Sequence, residues 1–190
     1  MTMHSGASRA LSSQMQAQAR SASPYVELDR SGINKILRFL LSLNVSERRQ
    51  RFALAASNEY IARYCASIDW THHRAFACVK PSGLCALVEL VGDHRTAWTR
   101  PELSFVMTEI ADGQQVRAEL LQIAFLAARE QGVTDLVIQY QDNECWVPAL
   151  AAEFGGTIDS SSGIAVLPIG DEVVEHTQTE IAALAVQPAS

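Results

Sequence analysis

No C-x-x-C pair occurs in this 190-residue chain; its four cysteines, Cys65, Cys78, Cys85 and Cys145, are dispersed. A secretory hydrophobic segment is also missing, so the thiols are expected to be reduced and partly buried in a cytoplasmic protein. Cys145 has neither a neighbouring histidine in sequence nor a nucleophile motif, which discounts it as a catalytic thiol. The apolar stretch "ILRFLLSLNV" is too short and too interrupted to span a bilayer, and no membrane association is expected. Positive charge is in deficit: 15 Lys and Arg against 21 Asp and Glu give a net charge of −6. That balance argues against non-specific nucleic-acid binding, which needs a basic face. His72 and His73 are adjacent rather than spaced for one helix face, so they read as loop residues and no metal site is expected.

What is present suffices for one folded domain. Hydrophobic residues make up 48% and charged residues 19%, enough apolar side chain to exclude wholesale disorder. Residues 1–24, rich in Ser, Ala and Gln and without an acid, read as a disordered tail, an organellar targeting segment being the less frequent explanation. Residues 170–190 form an acidic C-terminal tail.

Between the tails, at 25–169, periodicity is readable. "YVELD" fits a first strand. Ser31 is placed to cap a helix whose Ile33, Ile36, Leu37, Leu40 and Leu41 share one face. "SERRQRF" reads as a helical turn or connection with Ser46 as its cap, and its arginines as a solvated surface. Ser57 opens a helix through "NEYIARYCASID". The strands "AFACVK", "LCALVELV" and "ELSFVM" follow, the first two joined by a "PSG" turn that suits a hairpin. Val116, Leu120, Ile123, Ala124 and Ala127 mark a long helix stopped by Gly132. "DLVIQY" reads as a strand buried on both faces, "ECWVPALAAEFGG" as a last helix, and "TIDSSSGIAVLPI" as one or two strands. The order βααβββαβαβ(β) implies an α/β (α+β) domain with a mixed, central twisted sheet flanked by helices.

Residues carry a resemblance to a known superfamily. "SERRQRF" followed by "ASNEYIARYCASIDWTHHRAFACV", then "PELSFVMTEIADGQQVRAELLQIAFLAAREQG" and "DNECWVPALAAEFGG", resemble the GCN5-related N-acetyltransferases (GNAT) over about residues 25–169. The resemblance implies acetyl-CoA as cosubstrate, an amine on a small molecule or a protein as acceptor, and a cofactor seated between two strands that part. It assigns the pantetheine-pairing strand to Phe105, Val106 and Met107. It assigns the pyrophosphate loop to Asp112–Arg117, with the amides of Gln114, Gln115, Val116, Arg117 and Ala118 facing the anion, as helix N-termini do.

The loop departs from the family pattern Q/R-x-x-G-x-G/A. Asp112 stands where Gln or Arg is expected, Gln115 replaces the first glycine and Arg117 the second small residue. Gln and Arg lack glycine's conformational freedom, whereas Arg117 adds a guanidinium able to clamp phosphate. Against the anion-site reading stands an ordinary helix start whose amides are satisfied by an Asp112 cap. Glu102 matches the position of a family general base, or is a solvated strand-start glutamate. Tyr140 is the candidate acid, or packs at an edge; Asn143 contacts pantetheine, or is a plain N-cap. A transferase and an inactive GNAT-like binding or regulatory module therefore both remain open, as does the oligomeric state, a homodimer included.

Overall fold

The computed structural model describes residues 23–93, 97–141 and 146–169; Asn143, Cys145 and the acidic tail lie outside these, as does the N-terminal tail up to residue 22. Strand β1 (Tyr25–Leu28) leads through a 3-10 turn to helices α1 (Ile33–Ser42), α2 (Val45–Phe52) and α3 (Asn58–Ala66). Strands β2 (His73–Lys80), β3 (Gly83–Asp93) and β4 (Ala97–Met107) precede α4 (Gly113–Glu130), β5 (Asp135–Gln139) and α5 (Trp146–Glu153). The hairpin β6 (Thr157–Asp159) and β7 (Ile164–Pro168) completes a seven-stranded sheet of order β1-β2-β3-β4-β5-β7-β6. All neighbours are antiparallel except β4 and β5, whose parallel pairing needs a crossover; α4 supplies it.

Alternation along the strands splits the apolar side chains between two cores. Phe76, Val88, Leu103 and Phe105 pack with Leu120, Ala124 and Phe125 of α4 and Leu150 of α5. Ala75, Ala77, Leu87 and Val106 point the other way, to Ile36, Leu40 and Ile61 of α1 and α3. At ~1.5–3 kcal/mol for each fully buried large aliphatic side chain, these two layers carry most of the folding free energy.

Several sequence expectations are corrected. Three helices, not two, precede β2. In α2 no residue is buried, so it carries no apolar stripe to betray it; a capping box fixes it instead, with Asn44 rather than Ser46 as cap and Glu47 as its reciprocal partner. Ser31 lies in the 3-10 turn capped by Asp29, and α1 starts two residues later. His73 is not in a loop: it opens β2 and is buried. Strands β3 and β4 extend into the polar "GDHRTAWTRP" segment. Burial along β5 alternates instead of covering both faces, because β5 borders an open cavity. The Ser57 cap is present, its hydroxyl accepting from the Tyr60 amide at 3.2 Å. Among the described residues no helix is long and apolar enough to cross a membrane, and no cluster of His, Cys, Asp or Glu is arranged to hold a metal ion.

Candidate functional site

Strands β4 and β5 meet at a single register pair, Glu102 with Val137, and then part. Residues 103–107 still pair with β3 on one side, and among the described residues their other edge lies without a strand partner. An unpaired edge offers main-chain donors and acceptors to any extended ligand. Beside the parting lies a cavity of about 250 Å³, walled by the ends of α2 and α3 on one side and by β5 and the β6–β7 turn on the other. The turn comes close because Gly163 has φ +65° and an added Cβ would lie 2.6 Å from the Tyr140 carbonyl oxygen, so only glycine fits there.

Glu102, Ser104 and Phe105 reach this cavity from β4, and Tyr140 from the residue just after β5. Burial pushes the Glu102 carboxyl above its ordinary range; the Arg51 charge pulls it back, while Glu89 adds to the rise. A base with a raised pKa binds a proton more readily near neutrality. The Tyr140 backbone N–H donates to Gly163 O at 2.8 Å, which fixes the turn against β5.

Behind the cavity wall sits a buried charge network that sequence reasoning missed. Glu89 on β3 is fully buried, and its four hydrogen bonds come from three elements. Arg51 of α2 donates to Oε2 from Nε (3.0 Å) and Nη2; the Tyr64 hydroxyl of α3 donates to Oε1 at 2.9 Å; His73 Nε2 of β2 donates to Oε1 at 3.0 Å. Arg51 Nη2 also donates to the Tyr64 hydroxyl at 2.6 Å. Burial alone would raise the Glu89 pKa, but Arg51 and the bond from His73 outweigh it and hold the carboxyl down at about 2. The arginines of "SERRQRF" are thus not all a solvated face. Arg48 donates to the carbonyls of Leu41 (2.7 Å), Leu43 (2.9 Å) and Ala56 (3.0 Å), tying the turns around α2 together; Arg49 is exposed. One signal was legible: Glu89 is the lone charge inside the apolar run "LCALVELV", and a charge there needs a buried partner.

At the start of α4, Asp112 occupies the cap position but makes no capping hydrogen bond. Its carboxylate accepts instead from Lys80 Nζ at 2.7 Å, an exposed pair that offsets the negative charge and lowers the Asp112 pKa. The expectation of a self-capped helix is therefore corrected. The Gly113 amide donates to Ile110 O (3.2 Å) and the Val116 amide to Asp112 O (3.0 Å). Arg117 and Ala118 lie within the helical ladder, so Gln114 and Gln115 remain as the first-turn donors outside it. Val116 itself is buried in the core. The Arg117 guanidinium lies over two rings, 5.8 Å from the Phe105 centroid and 5.3 Å from that of Trp146. Those rings touch edge to face at 5.8 Å, so β4, α4 and α5 meet across the gap where the strands part. Phe105 and Val106 are buried in opposite cores and Met107 is half-buried against Gly113. Burial raises the thiol of Cys65 to about 11 and that of Cys85 to about 12, which keeps both protonated and unreactive at neutral pH.

Comparison with known proteins places this architecture. No family model matches the chain, and no curated protein matches it. Among solved structures, the GNAT domain of S. lividans PAT aligns over 76% of this chain and 88% of its own, with TM-score 0.58 and 16% identity. A GNAT-family acetyltransferase from Streptococcus pneumoniae aligns over 77% and 98%, with TM-score 0.56 and 15% identity. Aminoglycoside 6'-acetyltransferase type Ii aligns over 77% and 97%, with TM-score 0.53 and 15% identity. At these identities the likeness is one of overall architecture: this chain has the GNAT acetyltransferase fold.

Proposed function

We propose that the protein transfers an acetyl group from acetyl-CoA to an amine. The observation that carries this reading is the parting of β4 and β5 directly beyond Glu102, which sets a carboxylate of raised basicity at the apex of an open edge. The residues present fit the cosubstrate. The β5-facing backbone of 103–107 can pair with pantetheine, and the Gln114 and Gln115 amides can receive the pyrophosphate at the positive end of α4. Asp112 does not oppose the anion with a bare charge, since Lys80 pairs with it.

In this reading Glu102 takes a proton from the substrate ammonium. The neutral amine attacks the thioester carbonyl and a C–N bond forms; as the C–S bond breaks, the nitrogen releases its second proton to solvent, leaving the amide, and the departing thiolate takes a proton. Tyr140, also on the cavity wall, is the candidate donor for that last step.

The contact between Phe105 and Trp146 favours a second reading, a GNAT-like module without turnover, because those rings and Arg117 close the gap through which pantetheine would pass. For the transferase the rings must separate when acetyl-CoA enters. Titration calorimetry decides between the two. The transferase reading expects saturable binding of acetyl-CoA and thiol release with a suitable amine; no heat of binding at millimolar acetyl-CoA would leave the module.

A further inference from the structure

We propose that Glu89 is a positioning residue for the cavity: it holds the Arg51 guanidinium off Glu102, so that a free carboxylate is left there to take a proton. The claim rests on the transferase reading for what Glu102 does with that proton, but not for the holding itself.

Strand register sets the two acids side by side. Glu89 pairs with Ser104, and Val91 with Glu102, across β3 and β4. Residues opposite one another in an antiparallel pair share a face, so Glu89, Ser104 and Glu102 all leave the same side of the sheet. Glu89 and Glu102 are diagonal neighbours there, roughly 7–8 Å apart at the backbone and within reach of one long side chain. The side chain between them is Ser104, too small to wall one acid off from the other. Arg51 approaches this face from α2 and lines the cavity together with Glu102. One guanidinium thus stands beside two carboxylates.

Hydrogen bonding shows which acid has it. Arg51 Nε and Nη2 both donate to Glu89 Oε2, and Nη2 is fixed further by the Tyr64 hydroxyl. Tyr64 and His73 occupy Oε1, which leaves Oε2 to the arginine. Glu102 has neither a hydrogen bond nor an ion pair among the described residues. Burial decides the division. Glu89 is fully buried, where an unpaired charge is costly, whereas Glu102 is half-buried and borders the open cavity. Burial raises the Glu102 pKa and the Arg51 charge draws it back, so the two groups already sense each other where they stand. Direct contact with the guanidinium would make Glu102 a much weaker base. By occupying the arginine, Glu89 keeps that contact from forming.

The other titratable side chains on the cavity are Tyr60 and Tyr64 of α3 and Tyr140 just after β5, with His73 of β2 beyond Glu89. Asp142 and Glu144 lie outside the described residues. They are the same in every protein compared below, so their charges enter both sides of each comparison.

The test uses two variants of the full chain. In Glu89→Gln the counter-charge is gone, and a crystal structure is expected to show Arg51 turned to Glu102, with N···O about 2.7–2.9 Å. Carbon-13 NMR titration, with the Glu102 carboxyl assigned through its loss in Glu102→Gln, should find its midpoint lowered by about 1–3 pH units. Glu89→Asp separates position from field: it keeps the buried charge but withdraws the carboxylate by one methylene. The Glu102 midpoint should fall there too, by less. Should Glu89→Gln fail to fold, Glu89→Asp carries the test alone. An Arg51 that stays away from Glu102 in the Glu89→Gln crystal would overturn the proposal. So would a Glu102 midpoint that does not move in Glu89→Asp, since a shift confined to Glu89→Gln is the loss of a like charge and nothing more. Neither measurement uses acetyl-CoA, which separates the two claims. Capture of Glu102 by Arg51 in a protein without thiol release keeps this inference and drops the transferase reading. Thiol release that Glu102→Gln abolishes, with Arg51 unmoved in both Glu89 variants, does the reverse.

Discussion

Replacing Glu89 by alanine is expected to cost about 3–5 kcal/mol of folding stability, read as a shift in the urea midpoint with little change in slope. The carboxylate is fully buried, and its loss leaves the Arg51 guanidinium in the interior with its main counter-charge gone. The bonds from Tyr64 and His73 would go as well, and with them the link that fastens α2 and α3 to strands β2 and β3. Because those helices form one wall of the cavity, ligand binding should fall along with stability. A surface pair gives the contrast: Lys80→Ala removes an exposed partner of Asp112 and is expected to change stability by under about 1 kcal/mol.

The same network fixes a pH dependence. The folded pKa of Glu89 is depressed, so its contribution is fully present above the unfolded glutamate value of about 4.3. It is lost as pH falls from there through the folded value of about 2. The wild type should therefore lose stability across that acid window, and the slope there should be smaller in Glu89→Ala, where the other depressed carboxylates, Asp159 among them, still titrate.

Glu102→Gln is expected to lower turnover by roughly 100- to 10,000-fold, the range over which a positioned general base acts. Glutamine keeps the size and remains half-buried, so the fold and acetyl-CoA affinity should be nearly unchanged while the rate falls. The pH profile supplies the independent sign. Burial raises the Glu102 pKa, and the base must be ionised, so the wild-type rate should climb with pH through a value above that of an ordinary glutamate. The residual activity of the variant should lack that limb. An unchanged rate in Glu102→Gln would remove the base role and leave proton transfer to water.

The fold was legible where a local pattern dictates a local structure. The "PSG" turn gave the β2–β3 hairpin, Ser57 gave the start of α3, and the spacing of Val116, Leu120 and Ala124 gave α4. Helix α2 was less visible because it carries only two apolar side chains, the exposed Val45 and the half-buried Phe52; Asn44 and Glu47, at capping-box spacing, were its readable sign. The site was legible only in part. Glu102 and Tyr140 line one cavity. The Glu89 cluster was hidden because its partners come from positions 13 to 38 residues apart, and no spacing rule joins a turn arginine to a strand glutamate across a sheet. Nor does any local pattern show that Asp112 turns to Lys80 rather than to its own helix, or that Arg117 stacks on Phe105 and Trp146. Those choices follow from which elements pack together, a tertiary property.

Hydrogen exchange with and without acetyl-CoA tests the central claim most directly, since that claim concerns backbone groups left open on β4 and at the start of α4. Saturating acetyl-CoA should slow exchange in residues 103–107 and at Gln114 and Gln115, while β1 and the β6–β7 hairpin stay as they were. Unchanged exchange in both segments at millimolar acetyl-CoA would contradict the account.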